Sequence, residues 1–158
     1  MRYSTLDTPI GELLLFADPD GALTAVHLPG RHGTTEGLER DDSLLRPARD
    51  QLAEYFAGER RDFDLPLRPA GAPFQLRVWE RLNRIPYGET VSYGEIAREL
   101  GSPTASRAVG AANGRNPIAI VVPCHRVIGA NGSLTGYAGG LDQKRALLDL
   151  EAGRAALV

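Results

Sequence analysis

The only cysteine in this chain of 158 residues is Cys124, in the run VVPCHRVIG, between a proline and a histidine. A thiol there can be an inert hydrophobe, since free cysteine is among the most buried residue types. It can also be a nucleophile, and its neighbours suit that role. Pro123 cannot donate to a β-ladder, so the apolar run IVV is expected to be a strand that ends there, with Cys124 at its lip. His125 can serve as a base, and Arg126 favours an anion nearby. Such surroundings matter because the thiolate is the reactive form and an ordinary thiol is mostly protonated at neutral pH. A carboxylate that holds the imidazole in its useful tautomer would complete the set, and Glu151 is the candidate.

The elements that must position these groups fall into two halves. Residues 1–70 are expected to form an α+β supporting domain. The turn signals TPIG, DPDG and LPG separate three antiparallel strands at about 2–7, 11–17 and 22–28. A polar loop, 31–41, leads to a helix on which Leu44, Leu45, Ala48, Leu52, Tyr55 and Phe56 recur at helical spacing until Gly58 stops it. A Pro/Gly-rich linker at 66–73 follows. Residues 71–158 are expected to form a mainly helical, winged-helix-like domain. Phe74, Val78, Trp79, Leu82 and Ile85 make one helical stripe, ended by PYG.

SYGEIAREL, GSP and TASRAVGAANGR then outline a helix-turn-helix, with Ser102 as N-cap ahead of Pro103 and Gly114 at C′. Its second helix carries small residues and one long base, Arg107. That composition is poorly equipped to read base edges and is shaped to lie close to a backbone or in a minor groove, although tight packing on neighbouring helices would demand small residues too. A closing helix spans about 141–152, and Glu151 shares a face with Leu147 and Leu148.

Composition sets the outer limits. Hydrophobic content of 42% and charged content of 24% are those of an ordinary globular protein. A single thiol cannot close a disulfide or build a cysteine-rich zinc site, and His27 and His32 have no second thiol with which to share an ion, so no metal and no cofactor are expected. A reducing cytoplasm is the expected location. No run approaches the length of a membrane span, and MRYSTLDTPIG lacks the core of a signal peptide. The net charge of −2 hides a local excess: residues 98–131 hold four arginines and one acid.

Taken together, NPIAIVVPCHRVIG, PYGETVSYGEIA, SRAVGAANGRNP and LTGYAGGL…LLDLE resemble the methylated-DNA–protein-cysteine methyltransferases, densely over residues 73–152. The resemblance implies a ribonuclease-H-like fold for the first 70 residues. It implies that Cys124 accepts an alkyl group from 6-O-alkylguanine in double-stranded DNA, with alkylated thymine a further substrate, and that the protein acts as a monomer. His125 would be a water-mediated base oriented by Glu151. Asn116 would tie the recognition helix to the turn before the nucleophile. Tyr93 would help rotate the nucleotide and protonate the leaving group, and Arg107 would fill the vacated stack. Ser102 and Ala130 are further DNA-contacting positions, and Val127, Tyr137 and Ala138 would line the base pocket. Two departures stand out: Ala138 replaces a serine of some members and Ala119 a proline. The rival readings are a lesion-binding protein without transfer, a cysteine hydrolase and a helix-turn-helix regulator with a buried thiol.

Overall fold

The computed structural model describes residues 1–30, 33–134, 137 and 140–153, which divide into two compact units. The first is Met1–Ala70 together with Pro117–Ala119. Its strands β1 (Arg2–Thr8), β2 (Gly11–Ala17) and β3 (Leu23–His27) pair antiparallel, with a register shift between Phe16 and Ala17. The loop expected at 31–41 contains one more strand, β4 (Glu39–Arg40), which runs parallel to β1, so the sheet order is β3-β2-β1-β4. Two polar residues carry no alternation, which is why this strand has no signature in the sequence.

Alternation in β2 buries Leu13 and Leu15 completely, and α1 (Arg46–Phe56) adds Leu52 and Tyr55 to the core. Gly58 ends α1 as expected, at φ 78°, in a Schellman arrangement: its N–H donates to the Tyr55 carbonyl and that of Glu59 to Glu54. The outer edge of β3 is covered by bridges from Leu67 and Ile118, which satisfy backbone groups that an open edge would expose.

The second unit comprises, of the described residues, Gly71–Asn116 and those from 120 to 153. Its helix α2 (Pro73–Leu82) starts with proline in the first turn, where a missing N–H is harmless, and the Gln75 side chain accepts from the Ala72 N–H at 2.9 Å. The helix stops at Leu82, so Ile85 lies beyond it, although still buried. Strand β5 (Val91–Ser92) leads directly into α3 (Tyr93–Glu99), and Ser92 caps that helix by accepting from the Glu95 N–H.

The turn between α3 and α4 (Ser106–Gly114) differs from the expected one. Gly101, at φ 77°, supplies the left-handed residue, and the Ser102 N–H is committed to the Ala97 carbonyl. Ser102 therefore closes α3; the chain makes a further turn, Ala105 N–H to Ser102 carbonyl, and α4 begins with Ala105 at its N-cap and no side-chain cap. Gly114 is the last helical residue and not C′.

The run expected as a strand before Cys124 is not one. Ile118 makes an isolated bridge to Val26, and Ile120 turns the chain at φ 71°, a strained value for a β-branched residue. A 3-10 turn, Cys124–Arg126, follows, then β6 (Val127–Ile128), which pairs parallel with β5. The last helix is α5 (Leu141–Glu151). Among the described residues no helix is long and apolar enough to cross a membrane.

Candidate active site

Cys124 opens the 3-10 turn and is 6% exposed. Pro123, at φ −82° and ψ 65°, is the centre of an inverse γ-turn, which the Cys124 N–H closes by donating to the Val122 carbonyl at 2.8 Å. Two asparagines hold this hairpin of backbone. The Asn116 amide donates to the Val122 carbonyl at 2.8 Å, and the Asn113 amide, from α4, donates to the carbonyl of Cys124 at 3.3 Å. Both side chains are buried. Asn116 was anticipated; Asn113 was not, because an asparagine near a helix end reads as a solvated C-terminal residue.

Behind the thiol lies a fully buried polar cluster. His125 is 0% exposed, and its Nε2 is 2.6 Å from Glu151 Oε2. Arg126 grips the same carboxylate in a fork, Nε to Oε1 at 2.8 Å and Nη2 to Oε2 at 3.0 Å, while Nη1 donates to the Ile85 carbonyl at 2.7 Å. The Tyr87 ring faces the same guanidinium at 5.7 Å, and the Gly88 N–H donates to Glu151 Oε1 at 3.3 Å. Arg126 thus directs its charge at Glu151. Leu147 and Glu151 share the inward face of α5, and Leu148 is only half-buried.

The electrostatics follow from that geometry. Burial opposes ionisation of Glu151, but the bonds from His125 and Arg126 outweigh it and hold the carboxyl well below the usual carboxylate range. Burial is also the main influence on His125 and lowers its pKa, against the pull of Glu151 and with the push of Arg126 and Lys144. The pair is therefore a carboxylate and a neutral imidazole. A carboxylate only accepts, so Nε2 carries the proton and Nδ1 presents a lone pair. Nδ1 is buried with no protein hydrogen-bond partner among the described residues.

Two more groups flank the thiol. Burial and then the neighbouring Cys124 sulfur push the Tyr137 phenol well up from its ordinary value. Lys144 is 0% exposed on α5, one turn before Leu147, and donates from Nζ to the Val127 carbonyl at 2.6 Å; burial lowers its pKa, against the pull of Cys124. Its spacing of seven from Glu151 was the available signal that both point inward.

The remaining candidates are scattered over the same unit. The Tyr93 ring lies over Gly110 of α4, where an added Cβ would meet it at 3.8 Å. Arg107 and Ala108 are exposed on the outer side of α4, opposite buried Val109 and Ala112. Ala130 is exposed in a turn, Ser102 is half-buried, and Val127 is buried. Ala138 lies outside the described residues. A cavity of about 680 Å³ is lined by residues such as Thr90, Ser133, Arg145 and Glu151, and neither Cys124 nor His125 is among its lining residues.

The family description 6-O-methylguanine DNA methyltransferase, DNA binding domain, matches residues 73–153, and the ribonuclease-like domain of the same family matches residues 1–69. The chain belongs to the 6-O-methylguanine DNA methyltransferases. Named methylated-DNA–protein-cysteine methyltransferases from Methanosarcina acetivorans and Mycolicibacterium paratuberculosis are 52% and 55% identical to it. Each match covers 96% of this chain, and 98% and 92% of the relative. The crystal structure of Mycobacterium tuberculosis OGT in complex with DNA superposes with a TM-score of 0.92 at 54% identity, covering 98% of this chain and 95% of that one. In this methyltransferase the mixed α+β architecture, with a sheet-bearing N-terminal unit and a helical second unit, is that of its relatives.

Proposed function

We infer that this chain repairs DNA by direct reversal, moving the methyl group of 6-O-methylguanine irreversibly onto Cys124. Relatives at about half identity over nearly the whole chain carry the transferase name, and nothing favours a binder that lacks transfer. The observation that carries the reading is the buried His125–Glu151 pair immediately beside the only thiol.

The roles follow from that pair. Glu151, itself fixed by Arg126, keeps the proton of His125 on Nε2, so Nδ1 takes the thiol proton through a water. The sulfur anion then attacks the methyl carbon, the carbon–oxygen bond breaks with its electrons going to the purine, and a thioether forms. Tyr93 supplies the proton that neutralises the departing guanine. Val127 and Tyr137 line the pocket for the extruded base. Residues 71–158 act as the DNA-binding and acceptor domain and residues 1–70 as its support. The outer face of α4 lies along the minor groove, Arg107 fills the gap left by the flipped nucleotide, and Ser102 and Ala130 touch the backbone.

The thioether has no easy route back to a thiol, and the chain holds no second cysteine to attack it, so each molecule acts once. Alkylated thymine in duplex is a second substrate, the protein acts as a monomer, and a reducing cytoplasm keeps the acceptor available. Intact-protein mass spectrometry after exposure to methylated duplex tests the reading. A gain of one methyl mapped to Cys124 is the expected result, and repeated turnover or an unmodified protein overturns it.

A further inference from the structure

We propose that Asn113 is a positioning residue for the transfer, fixing the backbone of the acceptor cysteine to the helix that engages DNA; this rests on the reading given under Proposed function. Its carboxamide projects from the buried side of α4 and donates to the carbonyl oxygen of Cys124 itself, at 3.3 Å. Asn116, three residues on, donates to the carbonyl of Val122 at 2.8 Å. The two amides therefore bracket Pro123 and hold the backbone on either side of it. Asn116 fixes the entry to the γ-turn. Asn113 fixes the exit, where the direction of the Cys124 Cα–Cβ bond is determined.

The orientation of the Asn113 amide is settled by its partner, because rotating it by half a turn would set two oxygens against each other. In this orientation Oδ1 is buried and has no hydrogen-bond partner among the described residues. A buried orphan acceptor is a cost that an apolar side chain of the same volume would avoid. The other half of the amide offers the compensating role: it makes the carbonyl of the reactive residue part of α4. Displacement at an alkyl carbon demands that sulfur, carbon and leaving oxygen lie in line, and an error of about 1 Å in such an arrangement costs up to about a hundredfold in rate. A sulfur on an untethered turn would meet the base in a spread of directions.

Asn113→Leu keeps the branched heavy-atom skeleton and removes the donor, and Asn113→Ser, too short to reach the carbonyl, serves if the first, bulkier variant does not fold. The parent and both variants are mixed with saturating methylated duplex, and the alkylated fraction is followed by intact mass. Binding to unmodified duplex and the pH dependence of Cys124 reaction with iodoacetamide are measured alongside. The expected result is a transfer rate at least about tenfold lower with a complete endpoint, duplex affinity within about twofold of the parent, and an unmoved titration midpoint for the thiol.

A purely structural role would lower the endpoint and leave the rate of the folded fraction unchanged, and that outcome overturns the proposal. So does a parent-like rate in any folded variant. An unmodified parent would instead overturn the reading on which the proposal rests.

Discussion

Among the described residues, the unit built on Met1–Ala70 buries one polar side chain, Ser4, whereas the other unit buries Asn113, Asn116, His125, Arg126, Lys144 and Glu151. In the first unit charges meet at the surface: Arg68 with Asp18 and Asp20, Arg60 with Glu54, Arg2 with Asp41. Their signs differ as well. Residues 1–70 hold eight arginines and thirteen acids, a net of −5, and residues 71–158 hold ten basic and seven acidic residues, a net of +3. Buried ionic groups are costly, and an apolar core of the same volume would be at least as stable. Their concentration around one thiol marks where the chain gives up stability for chemistry. The positive balance on the same side suits a polyanionic partner.

The sharpest way to break the comparison is Cys124→Ser, which should abolish transfer while leaving affinity for duplex, measured by fluorescence anisotropy, within about twofold, because on the proposed reading the thiol is the nucleophile and not a binding group. Next is Glu151→Gln. It leaves the Arg126 guanidinium buried without its carboxylate, so urea unfolding should show a loss of about 3–5 kcal/mol. With the His125 tautomer no longer dictated, single-turnover transfer should slow by about a hundredfold or more. Arg107→Ala should cost about tenfold in repair of duplex, equivalent to ~1.4 kcal/mol, and little in reaction with a free modified base, because only a duplex has a stack to fill. Equal losses on both substrates would remove the wedge role.

Acid sharpens the contrast further. His125 is held neutral in the fold, with its pKa below the unfolded value, so the unfolded chain binds more protons as pH falls below about 6.5, and stability falls with it. Glu151 acts in the same direction at lower pH, its stabilisation present above about 4.3 and lost below. Melting temperature should therefore drop between pH 7 and 5, and His125→Asn should flatten that part of the profile. The smallest effect is expected for Arg68→Ala in the first unit: transfer unchanged within about twofold, since Arg68 is itself exposed and water screens its pairing with exposed Asp20 and half-buried Asp18.

The legible and illegible parts of the molecule differ for physical reasons. Period-two and helical patterns located β1 to β3, α1 and the two helices around Gly101, since burial of one face repeats along the chain. Cys124, His125 and Glu151 were legible as residue types, and the structure brings His125 and Glu151 into contact. Three features were misread or missed. The stretch Ile118–Val122 looks like a strand because it is apolar and β-branched, but its burial comes from bridging and turning, with Ile120 at a positive φ. Ser102 reads as a cap, yet its N–H was already taken by α3. Asn113 and Lys144 read as surface residues, because polarity predicts exposure wherever the partner is a backbone carbonyl distant in the chain.

The chain has one tryptophan, and its indole N–H donates to the carbonyl of Ala112 in α4 at 2.8 Å. That residue adjoins Asn113, so the sole indole fluorophore is wired to the segment that holds the acceptor turn. Emission excited selectively at the red edge of the absorption band would report on duplex engagement and on alkylation in unlabelled protein, in real time and from a single site.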